Sequence, residues 1–193
     1  LLNNIMLDFD NDMWMYISRD YFIQKNIPGE VGSSVMPHKI NPINFENSMA
    51  NLKMANGIIN VFTENLQVSR MQRDLSDSSL QRNIGMSIAY SLIAIKQTII
   101  GINKLTVNEK KLRKELQNTP EVLAEAIQTI LRKNGYENAY EVLKELTRGK
   151  NISLEAIRDF VKNLNISQND KEMLLNLTPE NYLGLAEILA KSI

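Results

Sequence analysis

The spacing of apolar residues constrains the fold of this chain more than any other feature. Over most of the sequence they recur at every third or fourth position, which places them on one side of a helix. No stretch alternates apolar and polar residues between turn signals, so no strand of consequence is predicted. The pattern predicts an all-α fold. The stripes are Ile5, Phe9, Met13, Ile17 and Tyr21; Phe45, Met49, Leu52, Ile59, Phe62 and Leu66; and Leu80, Ile84, Ile88, Leu92, Ile95 and Ile99.

The predicted helices fall into two groups. The first stripe predicts a helix to about Gln24, and two long helices follow on either side of a polar connector at 67–74. Beyond residue 105 the helices are shorter, and residues typical of helix N-caps begin them. We therefore predict two domains, residues 1–105 as part of a long helix bundle and residues 106–193 as a small helical domain. The predicted caps are Thr119, Ser153, Ser167 and Thr178.

Charge and composition exclude several classes of function. The chain has 22 Lys and Arg residues and 22 Asp and Glu residues, so no net positive field favours nucleic acid or an anionic membrane. The absence of Cys excludes disulfides and thiolate metal sites. Polar residues interrupt the apolar stretch 84–102, which favours a bundle helix over a membrane span. The chain begins at Leu1 without a visible signal peptide, so we expect a piece of a longer cytoplasmic protein.

The segment 32–42 carries the residues best suited to chemistry and reads Gly-Ser-Ser-Val-Met-Pro-His-Lys-Ile-Asn-Pro. It offers the hydroxyls of Ser33 and Ser34, the ammonium of Lys39 and the amide of Asn41. Such donors suit a carboxylate whose negative charge grows during a reaction. The residues alone leave a second interpretation open, a surface loop whose Ser and Asn side chains cap the next helix.

This segment resembles the G-S-S-x-M-P-x-K-x-N-P signature of the fumarase/aspartase superfamily and matches every fixed position, Met36 included. The resemblance implies an all-α homotetramer that catalyses anti β-elimination with release of fumarate. It implies that Ser33 is the general base that removes the proton next to a substrate carboxylate. It also implies that Ser34, Lys39 and Asn41 bind the substrate, the last two by holding the resulting aci-carboxylate.

A second segment, 68–82, is similar to the nucleotide-phosphate segment of the adenylosuccinate lyase family, in its bacterial-type branch. The likeness extends over essentially the whole chain. Arg73, Ser78 and Arg82 supply two guanidinium groups and a hydroxyl, which suit a phosphate. Ser78 and Arg82 are predicted to share a helix face near its N-terminal end, where the helix dipole favours an anion.

The residues of this second segment also allow a simpler interpretation. It is a solvated helix start in which Arg73 and Arg82 pair with Asp74 and Asp77. Taken alone, the residues favour that interpretation, whereas the resemblance favours phosphate binding.

Three more residues, in the signature or just after it, are assigned roles by the resemblance. Asn47 is expected to contact the substrate, and Glu46 is expected to support Lys39 or the loop, unless it only stabilises the helix N-terminus. His38 is the only His and matches a loop His of bacterial-type enzymes, so we expect it to bind the substrate or to support the loop. It suits neither a Ser–His pair nor a metal site. The family's general acid is a His from an upstream segment that is not among these 193 residues.

The resemblance implies two substrates. Adenylosuccinate is split into AMP and fumarate, and its ring-opened precursor SAICAR into AICAR and fumarate, without metal or organic cofactor. It also implies sites shared among subunits of a homotetramer, no nucleic-acid or membrane partner, and no activity of these residues alone. Two alternatives stay open: another lyase of the superfamily that acts on a nucleotide-free succinyl compound, and a non-catalytic helical oligomerisation piece.

Overall fold

The computed structural model describes residues 1–25, 41–71, 74–147 and 153–192, and the all-α prediction is confirmed. The backbone divides into two compact units, Leu1–Glu109 and Lys110–Ile193. The first contains α1 (Leu2–Ser18), β1 (Phe22–Gln24), α2 (Ile43–Asn65), α3 (Asp77–Gln81), α4 (Ile84–Asn103) and β2 (Leu105–Val107). After these come α5 (Glu109–Gln117), a 3-10 helix (Pro120–Leu123), α6 (Ala124–Lys133), α7 (Ala139–Thr147), α8 (Leu154–Lys162), α9 (Gln168–Asn176) and α10 (Ala186–Lys191).

The end of α1 differs from the prediction. The helix ends at Ser18 and not near Gln24, because Asp20 has a φ of 60°, which no right-handed helix accommodates. The chain then forms β1, which pairs with β2 in antiparallel fashion, with Phe22 opposite Val107. The sequence predicted no strand of consequence and did not locate this small sheet. Strands of three residues contain too few positions for alternation to be recognised.

Helices α1, α2 and α4 pack together in the first unit, and the seam between them is unusually polar. It buries Asn3 and Asp10 from α1, and Ser48 from α2 packs against Thr98 from α4. Apolar side chains fill the space between, and they are Phe45, Leu52, Ala55 and Ala94. This seam sets how closely the three helices approach.

The isoleucine stripe of α4 faces away from that seam. Ile88 and Leu92 are 64% and 51% exposed, whereas Ser87 and Thr98 are buried. A helix was predicted here, although it begins at Ile84 and not at Leu75. Its small and polar side packs against α1 and α2, whereas much of its apolar side is exposed among the described residues. By length and composition alone, Asp77–Asn103 could cross a membrane, so its polar residues do not exclude a span as the sequence interpretation assumed. That is weak support for a membrane span, because the core helices of soluble bundles meet the same test.

The second unit has an apolar core of its own. The predicted caps Ser153 and Ser167 accept hydrogen bonds from the N–H groups of Ala156 and Asp170 at 3.2 Å, which confirms both helix starts. The predicted helix start at Thr178 was wrong, because Asn181 binds the Thr178 N–H at 2.7 Å and the chain turns without a helix. The core consists of Ile127, Leu131, Ala139, Leu143, Ile157, Val161, Leu164 and Leu174.

Candidate functional site

Six of the predicted site residues lie outside the described residues, so their roles stay predictions. Five of them fall within residues 26–40, and the sixth falls within 72–73. The residues that flank both segments are described, and their contacts show how the neighbouring helices and strands hold the ends of these segments. The six residues are Ser33, Ser34, Met36, His38, Lys39 and Arg73.

The two flanks of 26–40 are anchored by backbone hydrogen bonds. On the entry side, the Lys25 N–H donates to the carbonyl oxygen of Lys104 at 2.8 Å, next to the β1–β2 pair. On the exit side, Asn41 is half-buried and Pro42 caps α2. The N–H groups of Phe45 and Glu46 donate to the Pro42 carbonyl at 3.1 and 3.2 Å. The predicted substrate ligand Asn41 is therefore attached directly to the first turn of a long helix.

Glu46 and Asn47 lie in the first turn and a half of α2, and both are exposed. Glu46 Oε1 accepts a hydrogen bond from Trp14 Nε1 at 3.1 Å, so α1 holds this carboxylate in place. Trp14 is 43% exposed and does not belong to the core, to which such a residue is usually assigned. No sequence signal could have found this contact, because the two residues are 32 positions apart on different helices.

Asp74 organises the start of the predicted phosphate segment. Its Oδ1 accepts hydrogen bonds from the Ser76 N–H at 2.9 Å and from the Ser76 hydroxyl at 2.8 Å. These two bonds hold the pKa of Asp74 below its usual value. Arg70 Nε lies 3.7 Å from Asp74 Oδ2, so Asp74 pairs with an arginine that neither interpretation of this segment had assigned to it.

The helix that carries Ser78 and Arg82 is shorter than predicted. The sequence predicts one long helix from Leu75, whereas α3 ends at Gln81 and a second helix begins at Ile84. The break occurs where Asn83 turns away from helical geometry and its side chain donates to the Ser79 carbonyl at 3.1 Å. Arg82 therefore ends a five-residue helix. The prediction that Arg82 lies near the N-terminal end of this helix, where the helix dipole would favour an anion, was therefore wrong.

Ser78 and Arg82 nevertheless stay on the same side of the backbone. They are four residues apart, and the Arg82 backbone is still helical, with φ −59° and ψ −22°. Both side chains are exposed, and the Ser78 hydroxyl donates to the Leu75 carbonyl at 3.2 Å, which leaves its lone pairs and the guanidinium accessible. This pair can meet an anion from solvent. Its geometry relative to Arg73 lies outside the described residues.

The polar seam contains a buried carboxyl group that the sequence did not single out. The Thr98 hydroxyl lies 2.8 Å from Asp10 Oδ1 and 2.8 Å from Ser48 Oγ, and all three residues are at most 1% exposed. Burial raises the pKa of Asp10, although the hydrogen bonds from Ser48 and Thr98 act in the opposite direction. A signal for this seam was present, since small and polar residues recur in α4 with helical spacing. They are Ser87, Ser91, Ala94 and Thr98.

A pocket of about 460 Å³ opens at the other end of the same seam. Asn3 Nδ2 donates to Asn56 Oδ1 and to Ser91 Oγ, both at 3.0 Å, and Asn56 Nδ2 donates to Asn4 Oδ1 at 2.9 Å. The lining contains no titratable side chain and none of the predicted site residues. It offers neutral hydrogen-bonding groups but no acid or base. Throughout the described residues, no cluster of three His, Cys, Asp or Glu side chains could hold a metal.

Two family models match the chain. The family described as "Lyase" matches residues 1–59, and the family described as "Adenylosuccinate lyase C-terminal" matches residues 69–183, which is more than half of the chain. The chain belongs to the adenylosuccinate lyase C-terminal family. The resemblance to the adenylosuccinate lyase family, inferred from segment 68–82, is thereby confirmed. In this family member, residues 33–47 of the predicted site lie within the first match, and Arg73, Ser78 and Arg82 lie within the second.

Named relatives agree with this membership in the adenylosuccinate lyase family. The chain is 50% identical over 193 residues to "Adenylosuccinate lyase" of Buchnera aphidicola subsp. Acyrthosiphon pisum, covering 100% of this chain and 42% of the relative. It is 50% identical over 184 residues to "Adenylosuccinate lyase" of Escherichia coli strain K12, covering 95% of this chain and 40% of the relative. The chain thus spans about two-fifths of the length of the curated relatives it matches.

A solved structure shows the same fold. The 3-carboxy-cis,cis-muconate lactonizing enzyme from Pseudomonas putida superposes with a TM-score of 0.69 over 97% of this chain and 43% of that chain. The two sequences are 21% identical, so this likeness shows the fold alone. The helical architecture described for this adenylosuccinate lyase family member therefore recurs in a distant enzyme.

Proposed function

We propose that the protein containing this chain is an adenylosuccinate lyase of purine nucleotide biosynthesis. It releases fumarate from adenylosuccinate to give AMP, and from SAICAR to give AICAR. The observation that carries the proposal is the match of residues 69–183, which include Ser78 and Arg82, to the C-terminal family of that enzyme. Identity of about one residue in two to enzymes of that name, over the whole chain, supports it further.

The proposed reaction is an anti β-elimination. Ser33 removes the proton from the carbon next to a substrate carboxylate, and the electron pair is held as an aci-carboxylate by Lys39, Asn41 and backbone N–H groups. The pair then forms the double bond of fumarate as the C–N bond breaks, and the leaving nitrogen takes a proton from an acid. We propose that this acid is a His of the upstream segment. No redox step occurs, and the substrate's own carboxylate accepts the charge, so the reaction needs no metal or organic cofactor.

A serine base needs help, because a free alkoxide is far too basic at neutral pH. We propose that the ammonium of Lys39 and nearby N–H dipoles stabilise the Ser33 alkoxide once water is excluded. Ser34 binds the substrate in this scheme. Met36 and His38 support the segment, and Glu46 supports it from α2, where Trp14 holds the Glu46 carboxylate.

The nucleotide half of the substrate is assigned to the second segment. Arg73, Ser78 and Arg82 bind the phosphate, and Asn47 contacts the substrate from α2. Ser78 and Arg82 are exposed on one side of the backbone, which suits contact with a phosphate arriving from solvent. In this arrangement the cationic groups act locally, in a chain whose total charge is zero.

The proposal includes a cytoplasmic homotetramer with shared active sites. Residues 1–105 form the end of its central lyase domain and residues 106–193 its C-terminal domain. The exposed apolar side of α4, with Ile88 and Leu92 more than half exposed, supports burial between subunits. The 193 residues alone should be inactive, because the scheme assigns the acid to an upstream residue.

A direct assay tests the proposal. The full-length protein should convert adenylosuccinate to AMP and fumarate in equal amounts, as followed by the change in ultraviolet absorbance and by chromatography. Argininosuccinate, a nucleotide-free succinyl compound, serves as the comparison substrate. Cleavage of argininosuccinate without cleavage of adenylosuccinate would favour another lyase of the superfamily, and cleavage of neither would contradict the proposal.

The role of Ser33 is tested by Ser33→Ala in the full-length protein. Loss of a general base should lower kcat by about 10²–10⁴-fold while KM stays close to that of the wild type. Ser18→Ala is the matched control, because Ser18 is an exposed residue whose hydroxyl donates to the Met15 carbonyl within α1. A kcat near that of the wild type in Ser33→Ala would refute the assignment.

A further inference from the structure

Lys104 contacts both flanks of the segment 26–40. It follows the last turn of α4 and directly precedes β2. Its carbonyl oxygen accepts the Lys25 N–H at 2.8 Å, on the entry side, and its Nζ donates to Asn44 Oδ1 at 2.8 Å, on the exit side. One residue therefore forms hydrogen bonds with Lys25 and Asn44, which are 19 residues apart in the sequence.

The contact with Asn44 is buried and well ordered by its neighbours. Lys104 is 7% exposed and Asn44 is 8% exposed. Asn44 Nδ2 donates to Gln97 Oε1 at 2.7 Å, so one end of the amide binds Gln97 and the other binds the ammonium. A hydrogen bond from a charged donor is about twice as strong as a neutral one, and burial protects it from water.

Packing beside this contact fixes the start of α2. Phe45, next to Asn44, is fully buried, and its ring lies against Gly101. A Cβ at Gly101 would lie 2.8 Å from the ring atom Cζ, so only glycine lets the two helices approach this closely. The first turn of α2 is thus held by a ring on one side and by the Lys104–Asn44–Gln97 chain on the other.

We infer that Lys104 is a positioning residue for the proposed lyase reaction. By joining Lys25 to Asn44, it fixes the two ends between which the residues bearing Ser33 and Lys39 run. The inference rests on the proposed function. The physical reason is that a catalytic group displaced by about 1 Å can lose up to about 10²-fold in rate, even when the change lies far from the chemistry.

The test uses Lys104→Met in the full-length protein, which keeps much of the side-chain volume and removes the ammonium. We expect kcat for adenylosuccinate to fall about tenfold, within the range that misplacement allows, and KM to change less than threefold. Backbone amides of 45 and 46 should exchange with deuterium about fivefold faster or more, because Asn44 Oδ1 loses its buried donor. The strand amides of 23 and 24 should be unchanged, because the backbone bond to Lys25 remains.

Two controls separate positioning from general stability. Lys96→Met makes the same substitution at an exposed position of α4 and should match the wild type in every measurement. Thr98→Val removes a buried hydroxyl from the same helix without touching either flank. At an equal loss of Tm, Thr98→Val should keep kcat within twofold of the wild type. An equal loss of kcat in Thr98→Val would overturn the positioning role.

A second variant covers the case in which Lys104→Met fails to fold. Asn44→Ala removes the acceptor and should lower kcat by a similar factor. If both single variants fold, their losses of kcat should be less than additive, because both changes break the contact of Lys104 with Asn44, while Asn44→Ala also removes the bond to Gln97. A kcat within twofold of the wild type in either single variant, or fully additive losses, would overturn the inference.

The exchange measurement separates this inference from the proposed function. If the wild type does not cleave adenylosuccinate, the proposed function fails, yet the amides of 45 and 46 still report whether Lys104 holds the start of α2. If the wild type is active and Lys104→Met is both unaffected in exchange and fully active, the inference fails and the proposed function stands.

Discussion

The two units of this chain differ in how much polar surface their helices bury. In the first, the seam of α1, α2 and α4 encloses Asp10, Ser48 and Thr98, while Ile88 of α4 is 64% exposed. In the second, the helices enclose an apolar cluster in which Leu131 and Val161 are fully buried. The apolar residues of α6 to α9 thus form a buried cluster in the second unit, whereas much of the apolar side of α4 in the first unit is exposed.

The two units therefore depend on apolar burial and on buried hydrogen bonds to different degrees. A buried apolar cluster gains free energy from the exclusion of water, and the second unit contains such a cluster around Leu131 and Val161. A buried polar seam gains little net free energy, but it favours helix arrangements that preserve its hydrogen bonds, such as those of Thr98 to Asp10 and Ser48. The first unit therefore has a specified packing and an apolar surface that still needs covering, which agrees with a role inside a larger assembly.

The largest expected effect lies in the core of the second unit. Leu131→Ala should lower the free energy of unfolding of this unit by about 2–5 kcal/mol, because it removes buried contacts and leaves a cavity. Ile88→Ala in the first unit should change that of its own unit in a single chain by less than about 0.5 kcal/mol, because the side chain is mostly exposed. Urea unfolding followed by circular dichroism measures both values. Equal losses would remove the contrast between the two units.

A smaller effect is expected at the closest helix contact of the first unit. Gly101→Ala should destabilise the unit by about 1–3 kcal/mol, because the new methyl group overlaps the ring of Phe45. Gly57→Ala is the matched control in α2, where nothing lies within 4 Å of the added Cβ. It should stabilise the helix by about 0.5–1 kcal/mol. Urea unfolding measures the free energy of unfolding of both variants. A stabilising Gly101→Ala would show that α4 and Phe45 do not pack as closely as the structure indicates.

The smallest effects concern pH, and they have opposite signs in the two units. Hydrogen bonds from Lys133, Asn134 and Ser167 lower the pKa of Asp170 from 3.8 to about 2. Its contribution to stability is therefore present above pH 3.8 and is lost as the pH falls toward about 2. Burial raises the pKa of Asp10 above 3.8, so its contribution is greatest below that pH and is lost as the pH rises through its pKa in the folded protein.

Thermal unfolding between pH 2 and pH 7 checks both signs. Asp170→Asn should remove the acid-side loss of stability in the second unit, and Asp10→Asn should remove the loss on the alkaline side in the first. Slopes of the same sign for the two carboxyl groups would contradict the contrast between Asp170, which is paired with Lys133, and Asp10, whose charged form is disfavoured by burial.

The sequence predicted what depends on local pattern. Helical spacing located the long helices, and Ser153 and Ser167 were identified as caps because a cap acts on the N–H groups just after it. The stripe of α4 did not show which side packs, because Ile88 is apolar enough for either a core or an interface. The end of α1 at Ser18 could not be predicted either, since it depends on the pairing of β1 with a strand more than 80 residues away.

In the candidate site, too, some residues could be predicted from the sequence and others could not. Ser33, Lys39, Asn41 and Arg82 belong to sequence motifs, so resemblance identified them. Contacts between residues on different elements correspond to no motif in the sequence. The pairing of Trp14 with Glu46 and that of Lys104 with Asn44 each join residues more than 30 positions apart, and only the folded chain brings them together.

The most direct test of the contrast is the molar mass of the full-length protein in solution, measured by light scattering after size-exclusion chromatography. The wild type should have four times the protomer mass, because we propose that copies of the first unit cover the exposed side of α4. The double variant Ile88→Asp with Leu92→Asp should have a smaller mass, because it places two charges on that side. A monomeric wild type, or a double variant that keeps the mass of the wild type, would contradict it.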